Sequence, residues 1–269
     1  MAGAASPNVP AVDPAIQARL LAARADGDYA PDWLNGSIAL DEALQLQLAV
    51  LSEHLDAGNS IGGWKVGLTS EASRLKLGAD ERPFGFVLDT RTFRTGDEIV
   101  TADMASPSIE TEMCFTVKAE IDDPTVGPDQ IFDYFDAVAA GFELNEQRPG
   151  STRPDFCAMV TDCLTNWGIA GGNGPPPVSA ADLMATTITM ERNGEEMFTG
   201  VSADYCDDHA ISLVRLVEQL ARHGQRLTPG QRIITGAFAR FPVAAGDHWR
   251  AVYTGPAFAE PSTVELTFR

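Results

Sequence analysis

The chain has 269 residues, with 19 Lys+Arg against 38 Asp+Glu and a formal charge of −19; no Lys/Arg cluster is present to displace counterions from a nucleic-acid backbone, so nucleic acid is excluded as a partner. Hydrophobic residues make up 44% and charged residues 21%, the balance of a folded globular chain rather than a disordered one, and no apolar run nears the ~18–20 residues of a membrane span. Cys114, Cys157, Cys163 and Cys206 form no CxxC pair and the four histidines show no HExxH spacing, which argues for buried reduced thiols and against both a disulfide framework and a zinc hydrolase.

The first ten residues are small and Pro-containing and are expected to fray. Met1 to Pro14 carries no basic residue, so no secretory n-region is read here and a cytoplasmic protein is expected. Pro14 opens a helix to about Ala25, with Ile16, Leu20 and Leu21 as its apolar stripe. A second helix, about Asp41 to Ala57, places Leu44, Leu48, Leu51 and Leu55 on one face and stops at Gly58. Residues 1–60 thus read as an N-terminal helical cap, and residues 61–269 as a β-rich catalytic domain. Strand-like runs follow at Gly63–Leu68, Ile109–Ile121, Thr187–Arg192, Arg232–Ile234, Trp249–Tyr253 and Val264–Phe268. Asn193-Gly194, Pro229-Gly230 and Gly246-Asp247 are turn signals between them. Helices are predicted at about Asp129–Ala140 and Asp208–Arg222. The class is α+β, mostly β, and there is no GxGxxG or P-loop to support nucleotide binding.

Two segments carry chemistry. If Ile109 to Val117 is a strand, Glu110 and Glu112 project from one face, roughly 6–7 Å apart. Crowded carboxylates on an edge strand are ordinarily a solvated face; the alternative is a site for a hard cation, which takes oxygen ligands. A third carboxylate is available at Glu143 or Glu146, just after the predicted helix, and composition does not choose between them. The second segment, Gly62 to Ser70, sets Lys65 among glycines and apolar residues. That lysine is either a surface residue of a strand or a cation that holds a substrate carboxylate or moves a proton, with the glycines letting a ligand approach the backbone.

In order along the chain, these pieces resemble the fumarylacetoacetate hydrolase superfamily, in its 2-keto-4-pentenoate hydratase / 2-oxo-3-hexenedioate decarboxylase branch. The resemblance covers most of the chain. It is carried by Gly63-Trp64-Lys65-Val66-Gly67-Leu68-Thr69-Ser70, by Leu77-Gly78-Ala79-Asp80 with Phe84-Gly85, and by Ile109-Glu110-Thr111-Glu112. Glu143 with Arg148 matches the following Glu-x-x-x-x-Arg element, which selects Glu143 over Glu146. Asp162-Cys163-Leu164-Thr165, Leu227 to Gly230, Thr235-Gly236-Ala237 and Ala245-Gly246-Asp247 follow the later segments. The chain departs from the branch at Pro83, Ser108, Ala158 and Cys163, and at Asp207-Asp208-His209-Ala210 in place of a Gly-His-Pro turn.

The resemblance implies rolled, mixed β-sheets and a single Mg²⁺ or Mn²⁺ held by Glu110, Glu112 and Glu143. It further implies a small-molecule 2-oxo acid substrate that passes through a metal-bound enolate, and assembly into a homo-oligomer. Lys65 would hold the substrate carboxylate or assist proton transfer. Leu68, Arg148, Asp162 and Thr165 are the further candidate substrate contacts. Hydration also needs a base to position water, and with Pro83 at the expected acidic position, Asp80 and Glu81 are the candidates. The implied activity is hydratase-like, with decarboxylation of a 2-oxo-enedioate or β-keto acid as the runner-up. A non-catalytic binding relative is the reading from another class.

Overall fold

The structure is a computed structural model and describes Val9 and residues 11–269. The expected fraying of the first ten residues therefore falls, Val9 apart, outside the described residues. Helix α1, Pro14–Ala25, is capped by Asp13, whose carboxylate accepts from the Ala15 amide, with proline in the first turn where its missing N–H is not needed. Helix α2, Leu40–Asp56, buries Ala43, Leu44, Leu46, Gln47, Val50 and Leu51. The predicted stripe is rotated: Leu48 is half-buried and Leu55 exposed. The rotation brings Gln47 inward, where its amide donates to the carbonyls of Phe84 and Val160 and ties the helix to two other elements.

Among the described residues, twelve strands form two mixed sheets. The larger contains β1 (Ile61–Val66), β2 (Phe84–Leu88), β3 (Thr92–Arg94), β5 (Ser108–Val117), β6 (Phe135–Asn145), β7 (Asn166–Gly171) and β10 (Arg232–Pro242), ordered β2-β1-β10-β5-β6-β7-β3. Only the β1/β10 and β3/β7 pairs are parallel. The smaller contains β4 (Glu98–Ile99), β8 (Thr187–Arg192), β9 (Glu195–Val201), β11 (His248–Gly255) and β12 (Phe258–Phe268), ordered β4-β12-β11-β8-β9. Asn193 and Gly194, both at positive φ, make the β8–β9 hairpin turn that the Asn-Gly pair signals. Short helices α3 (Glu71–Leu77), α4 (Phe156–Thr161) and α5 (Ala180–Met184) and the longer α6 (His209–Arg222) complete the chain.

The two sheets are joined through a shared core that includes Trp64, Phe84, Phe115, Phe142, Trp249, Tyr253 and Phe268, all fully buried. Two polar contacts pin one sheet to the other. Thr111 on β5 shares a 2.7 Å hydrogen bond with the Tyr253 hydroxyl, and Ser262 accepts from the Ala140 amide at 2.9 Å. Because each is buried and satisfied, it fixes the relative placement of β5 and β6 at little net cost.

The predicted helix at 129–140 is corrected. Residues Ile131–Tyr134 form one 3-10 turn, and Phe135 begins the long strand β6. The Ala-rich run Ala137 to Ala140 reads as helix by propensity. In the fold, however, it pairs with β5 as the start of a strand whose later part, Gly141 to Asn145, also pairs with β7; the strand is buried from Val138 to Asn145, and a strand covered on both faces loses the alternation that would announce it. Glu143 accordingly sits inside a strand rather than after a helix. Other strand bounds differ too: β1 ends at Val66 rather than Leu68, β10 continues from Ile234 to Pro242, β12 begins at Phe258 rather than Val264, and β5 ends at Val117, with Ile121 reached by a bridge to Leu227.

Candidate functional site

The register of β5 against β6 assembles the carboxylates. Glu110 is paired directly across from Glu143, and Glu112 lies opposite Gly141, so side chains from two strands meet over one face of the large sheet. One oxygen from each of Glu110, Glu112 and Glu143 lies within 4.8 Å of the others. Lys65 enters from β1, its Nζ 2.5 Å from Glu143 Oε1. Across from it on β2 stands Gly85, where a Cβ would sit 2.9 Å from the lysine stem, so the buried lysine needs a neighbour without a side chain.

Three more groups orient these carboxylates. Asn166 donates to Glu143 Oε1 at 2.8 Å, Asn145 donates to Glu110 Oε1 at 3.2 Å, and Arg240 on β10 ion-pairs with Glu110 at 3.1 Å. Burial, then the neighbouring Glu143, push Glu112 well above the usual carboxylate range, and push Glu110 upward as well. Burial acts the same way on Glu143, yet the Lys65 ammonium and the hydrogen bonds it accepts outweigh it and hold it below its ordinary value. Burial alone would lower Lys65, and the three carboxylates reverse the sign. Glu112 Oε2 is buried and has no hydrogen-bond partner among the described residues. An orphaned oxygen among three converging carboxylates is costly by itself and is what a cation would satisfy.

The site opens into a cavity of about 200 Å³ lined by residues 65–70, Ser73, the three glutamates, Leu164, Tyr205 and Ala237. Its walls hold unusual backbone. Leu68 has φ of 53°, and Cys163, Leu164 and Thr165 follow one another at 52°, 54° and 68°, a left-handed stretch with no glycine. The surroundings impose it: the Thr165 carbonyl accepts from the Glu146 amide, and its hydroxyl donates to Asn145 Oδ1. On the far side of the stretch lies a second cavity, about 890 Å³, whose wall includes Arg148, Asp162, Thr165 and Arg240. Helix α3 covers another side of the small cavity. It buries none of its own residues and is held by Asp207, which accepts from the Glu71 amide and pairs with Arg74 and Arg82.

The sequence-derived residues divide accordingly. Lys65, Leu68, Glu110, Glu112 and Glu143 line the small cavity, while Arg148, Asp162 and Thr165 line the large one. Asp162 binds Arg24 at 2.7 Å and Arg148 at 2.6 Å. Asp80 and Glu81 line neither cavity: Asp80 is exposed after α3, and Glu81 accepts from Gln219 and pairs with Arg222 of α6. The structure thus brings neither of the two acidic candidates that the resemblance offered to the wall of the small cavity. His209, the first residue of α6, is fully buried against Ser202, and burial pushes its imidazole down to about 3. Sequence reasoning missed Asn145, Asn166, Tyr205 and Arg240. Strand register brings in Asn145, Asn166 and Arg240, the first from a variable position inside the Glu143-x-x-x-x-Arg148 element, and Tyr205 arrives from the 3-10 turn that follows β9.

No family model matches the chain. Among curated proteins, it is 29% identical to the 4-oxalocrotonate decarboxylase of Pseudomonas sp. (strain CF600) over 215 residues, 80% of this chain and 81% of that one. It is 28% identical to the 2-oxo-hept-4-ene-1,7-dioate hydratase of Escherichia coli over 223 residues, 80% and 84% of the two chains. Its fold matches that of 4-oxalocrotonate decarboxylase from Pseudomonas putida G7, complexed with calcium and acetate, with a TM-score of 0.80 at 24% identity over 95% of this chain and 96% of that one. A putative fumarylacetoacetate isomerase/hydrolase from Oleispira antarctica matches at TM-score 0.55 and 16% identity, over 77% and 92%. Two sequence relatives spanning four-fifths of the chain, and a common fold, agree with the motifs read in order from Lys65 to Asp247: the chain resembles the hydratase and decarboxylase branch of the fumarylacetoacetate hydrolase superfamily.

Proposed function

We infer that the chain is a metal-dependent lyase that acts on a 2-oxo acid, with hydratase-like chemistry foremost. The observation that carries this reading is the buried, partnerless Glu112 Oε2 among three converging carboxylates. Glu110, Glu112 and Glu143 would hold one Mg²⁺ or Mn²⁺; an all-carboxylate donor set suits these hard cations. When bound, the ion supplies Lewis-acid stabilisation of negative charge on the substrate's 2-oxo oxygen, worth several kcal/mol. The chain's own residues do the rest. Lys65 Nζ anchors the 1-carboxylate or holds the proton to be moved. Its 2.5 Å contact to Glu143 keeps it charged in a buried place. Asn166 and Asn145 fix the orientation of Glu143 and Glu110. A cavity of about 200 Å³ admits a small planar acid head and little more. The same reading makes residues 1–60 a helical cap on a catalytic domain of 61–269, in a cytoplasmic homo-oligomer; the family resemblance supports it. No helix among the described residues is long and apolar enough to cross a membrane.

Decarboxylation is the second reading, and one observation favours it. Apart from the three glutamates, the small cavity is lined by no carboxylate and no histidine among the described residues, and Asp80 and Glu81 face elsewhere. Water addition needs a base at the far carbon, whereas loss of carbon dioxide needs only the charge sink and a proton source. Product analysis on a 2-hydroxy-dienoate and on a 2-oxo-enedioate separates them: net water uptake supports the first, gas release without it the second. Turnover that survives chelation by EDTA would refute both.

A further inference from the structure

We propose that Tyr205 is the acid and base of this site, giving a proton to the far carbon of a 2-hydroxy-dienoate and then taking one from the water that adds beside it. The proposal rests on the hydratase-like reading above. The three glutamates of the small cavity are committed to the cation, and Lys65 is held by Glu143. Among the described residues, the remaining side chains of that cavity able to move a proton are those of Thr69, Ser70, Ser73 and Tyr205. Ser70 and Ser73 are spent on the first turn of α3, where the Ser70 hydroxyl accepts from the Ser73 amide and the Ser73 hydroxyl donates to the Ser70 carbonyl. Thr69 offers an alkyl hydroxyl. A phenol is a far stronger acid than an alcohol, and tyrosine is one of the side chains that serve as general acids and bases.

The fold fixes the Tyr205 ring and leaves its polar end unengaged. Tyr205 follows the 3-10 turn Ser202–Asp204, and its amide donates to the Ser202 carbonyl. Its ring meets Phe198 and Phe238 edge-on, with centroids 5.4 and 6.2 Å away, and lies against Gly200, where a Cβ would come within 2.9 Å of it. Two residues on, the Asp207 amide donates to the carbonyl of Thr69, which ties the segment to the wall of the same cavity. Tyr253 spends its hydroxyl on Thr111, whereas the Tyr205 hydroxyl has no hydrogen-bond partner among the described residues. A ring held on three sides with a hydroxyl that serves no part of the fold suits a group that meets a substrate.

Once the 2-hydroxyl proton has gone to solvent, the enolate's electron pair moves along the conjugated chain. The Tyr205 O–H bond breaks, a C–H bond forms at carbon 5, and oxygen 2 becomes a carbonyl. Carbon 4 is the next atom, so the phenolate left behind lies beside the point of water addition. It takes a proton from that water as the new C–O bond forms, and the enolate so made is protonated at carbon 3 from solvent. Tyr205 ends as it began, and the base that neither Asp80 nor Glu81 supplies is accounted for.

The test gives 2-hydroxypenta-2,4-dienoate to the Mg²⁺-loaded protein and follows loss of the dienol absorbance. Tyr205→Phe keeps the ring and its packing and removes only a hydroxyl that has no partner in the fold. It is expected to lower kcat by about a hundredfold to ten-thousandfold, the range of general acid–base catalysis, with KM little changed. Oxalate, which presents an acid head and no far carbon, is titrated alongside by calorimetry in saturating Mg²⁺. Its dissociation constants for parent and variant are expected to agree within about threefold. A variant kcat within about threefold of the parent's, or oxalate binding that falls as far as kcat does, overturns the assignment while the hydratase reading stands. A parent that binds oxalate and yields no product from the dienoate removes the hydratase reading and the proposal with it.

Discussion

Two clusters of charge lie on either side of the left-handed stretch at Cys163 to Thr165, and they differ in one respect. Around Asp162 every charge has a partner: Arg24 and Arg148 both bind its carboxylate, and both guanidiniums lie over the Tyr29 ring, at 4.9 and 4.7 Å. Around Glu112 the ledger is unbalanced: three carboxylates face Lys65 and Arg240, and one buried oxygen is left without a partner. A closed network holds a fold together; an open one holds a place for something else. The comparison teaches that buried charge by itself does not mark a site; an unsatisfied oxygen among three converging carboxylates, beside a cavity, does.

The contrast breaks or sharpens under four perturbations. Glu112→Gln, nearly isosteric, is expected to lower turnover by more than about a thousandfold, equivalent to about 4 kcal/mol in the barrier, with the fold retained; turnover near the parent's would end the cation assignment. Asp162→Asn leaves two guanidiniums short of their counter-charge and is expected to lose about 3 kcal/mol of stability in denaturant titration. A rise in KM with unchanged stability would instead move Asp162 into the binding site. Mg²⁺ at a hundredfold excess over its dissociation constant is expected to stabilise the parent by about 2.7 kcal/mol, with oxalate adding to the shift, and to leave Glu112→Gln unmoved. Equal shifts in parent and variant would mean that the ion binds elsewhere. The smallest effect belongs to Glu81→Gln, which removes an exposed pair with Arg222 and is expected to alter stability by less than about 1 kcal/mol and turnover hardly at all. A large drop in kcat would restore Glu81 as the base.

Much of the site is legible in the linear pattern because its cation and two of its carboxylates lie in short local motifs. Lys65 among glycines and Glu110-x-Glu112 announce themselves, and alternation in Ile109 to Val117 shows which face each side chain takes. Glu143 required more, since its strand is covered on both faces and its Ala-rich start favours helix. Arg240, Asn145 and Asn166 were illegible for a different reason. Arg240 enters through a β10 register that resumes only after an irregularity between Thr235 and Ala239, and no local spacing encodes that. Asp80 and Glu81 show the limit of a motif with a displaced residue: they were the acidic candidates nearest Pro83, yet neither lines the small cavity, and the turn after α3 sends Glu81 to α6.

The left-handed run of Cys163, Leu164 and Thr165 has a consequence for the order in which the molecule takes shape. A non-glycine residue in that conformation is disfavoured by roughly 1–2 kcal/mol, so three in succession have no local tendency to form. Besides the local bond from the Thr165 amide to the Asp162 carbonyl, what holds the end of the run at Thr165 comes from outside: the Glu146 amide, Asn145 and Arg240, the first two at the end of β6 and the third at the end of β10, more than seventy residues along the chain. The partition between the two cavities therefore cannot exist until both strands have docked. It is a late product of folding, and mutations in it should speed unfolding while leaving the rate of folding nearly unchanged.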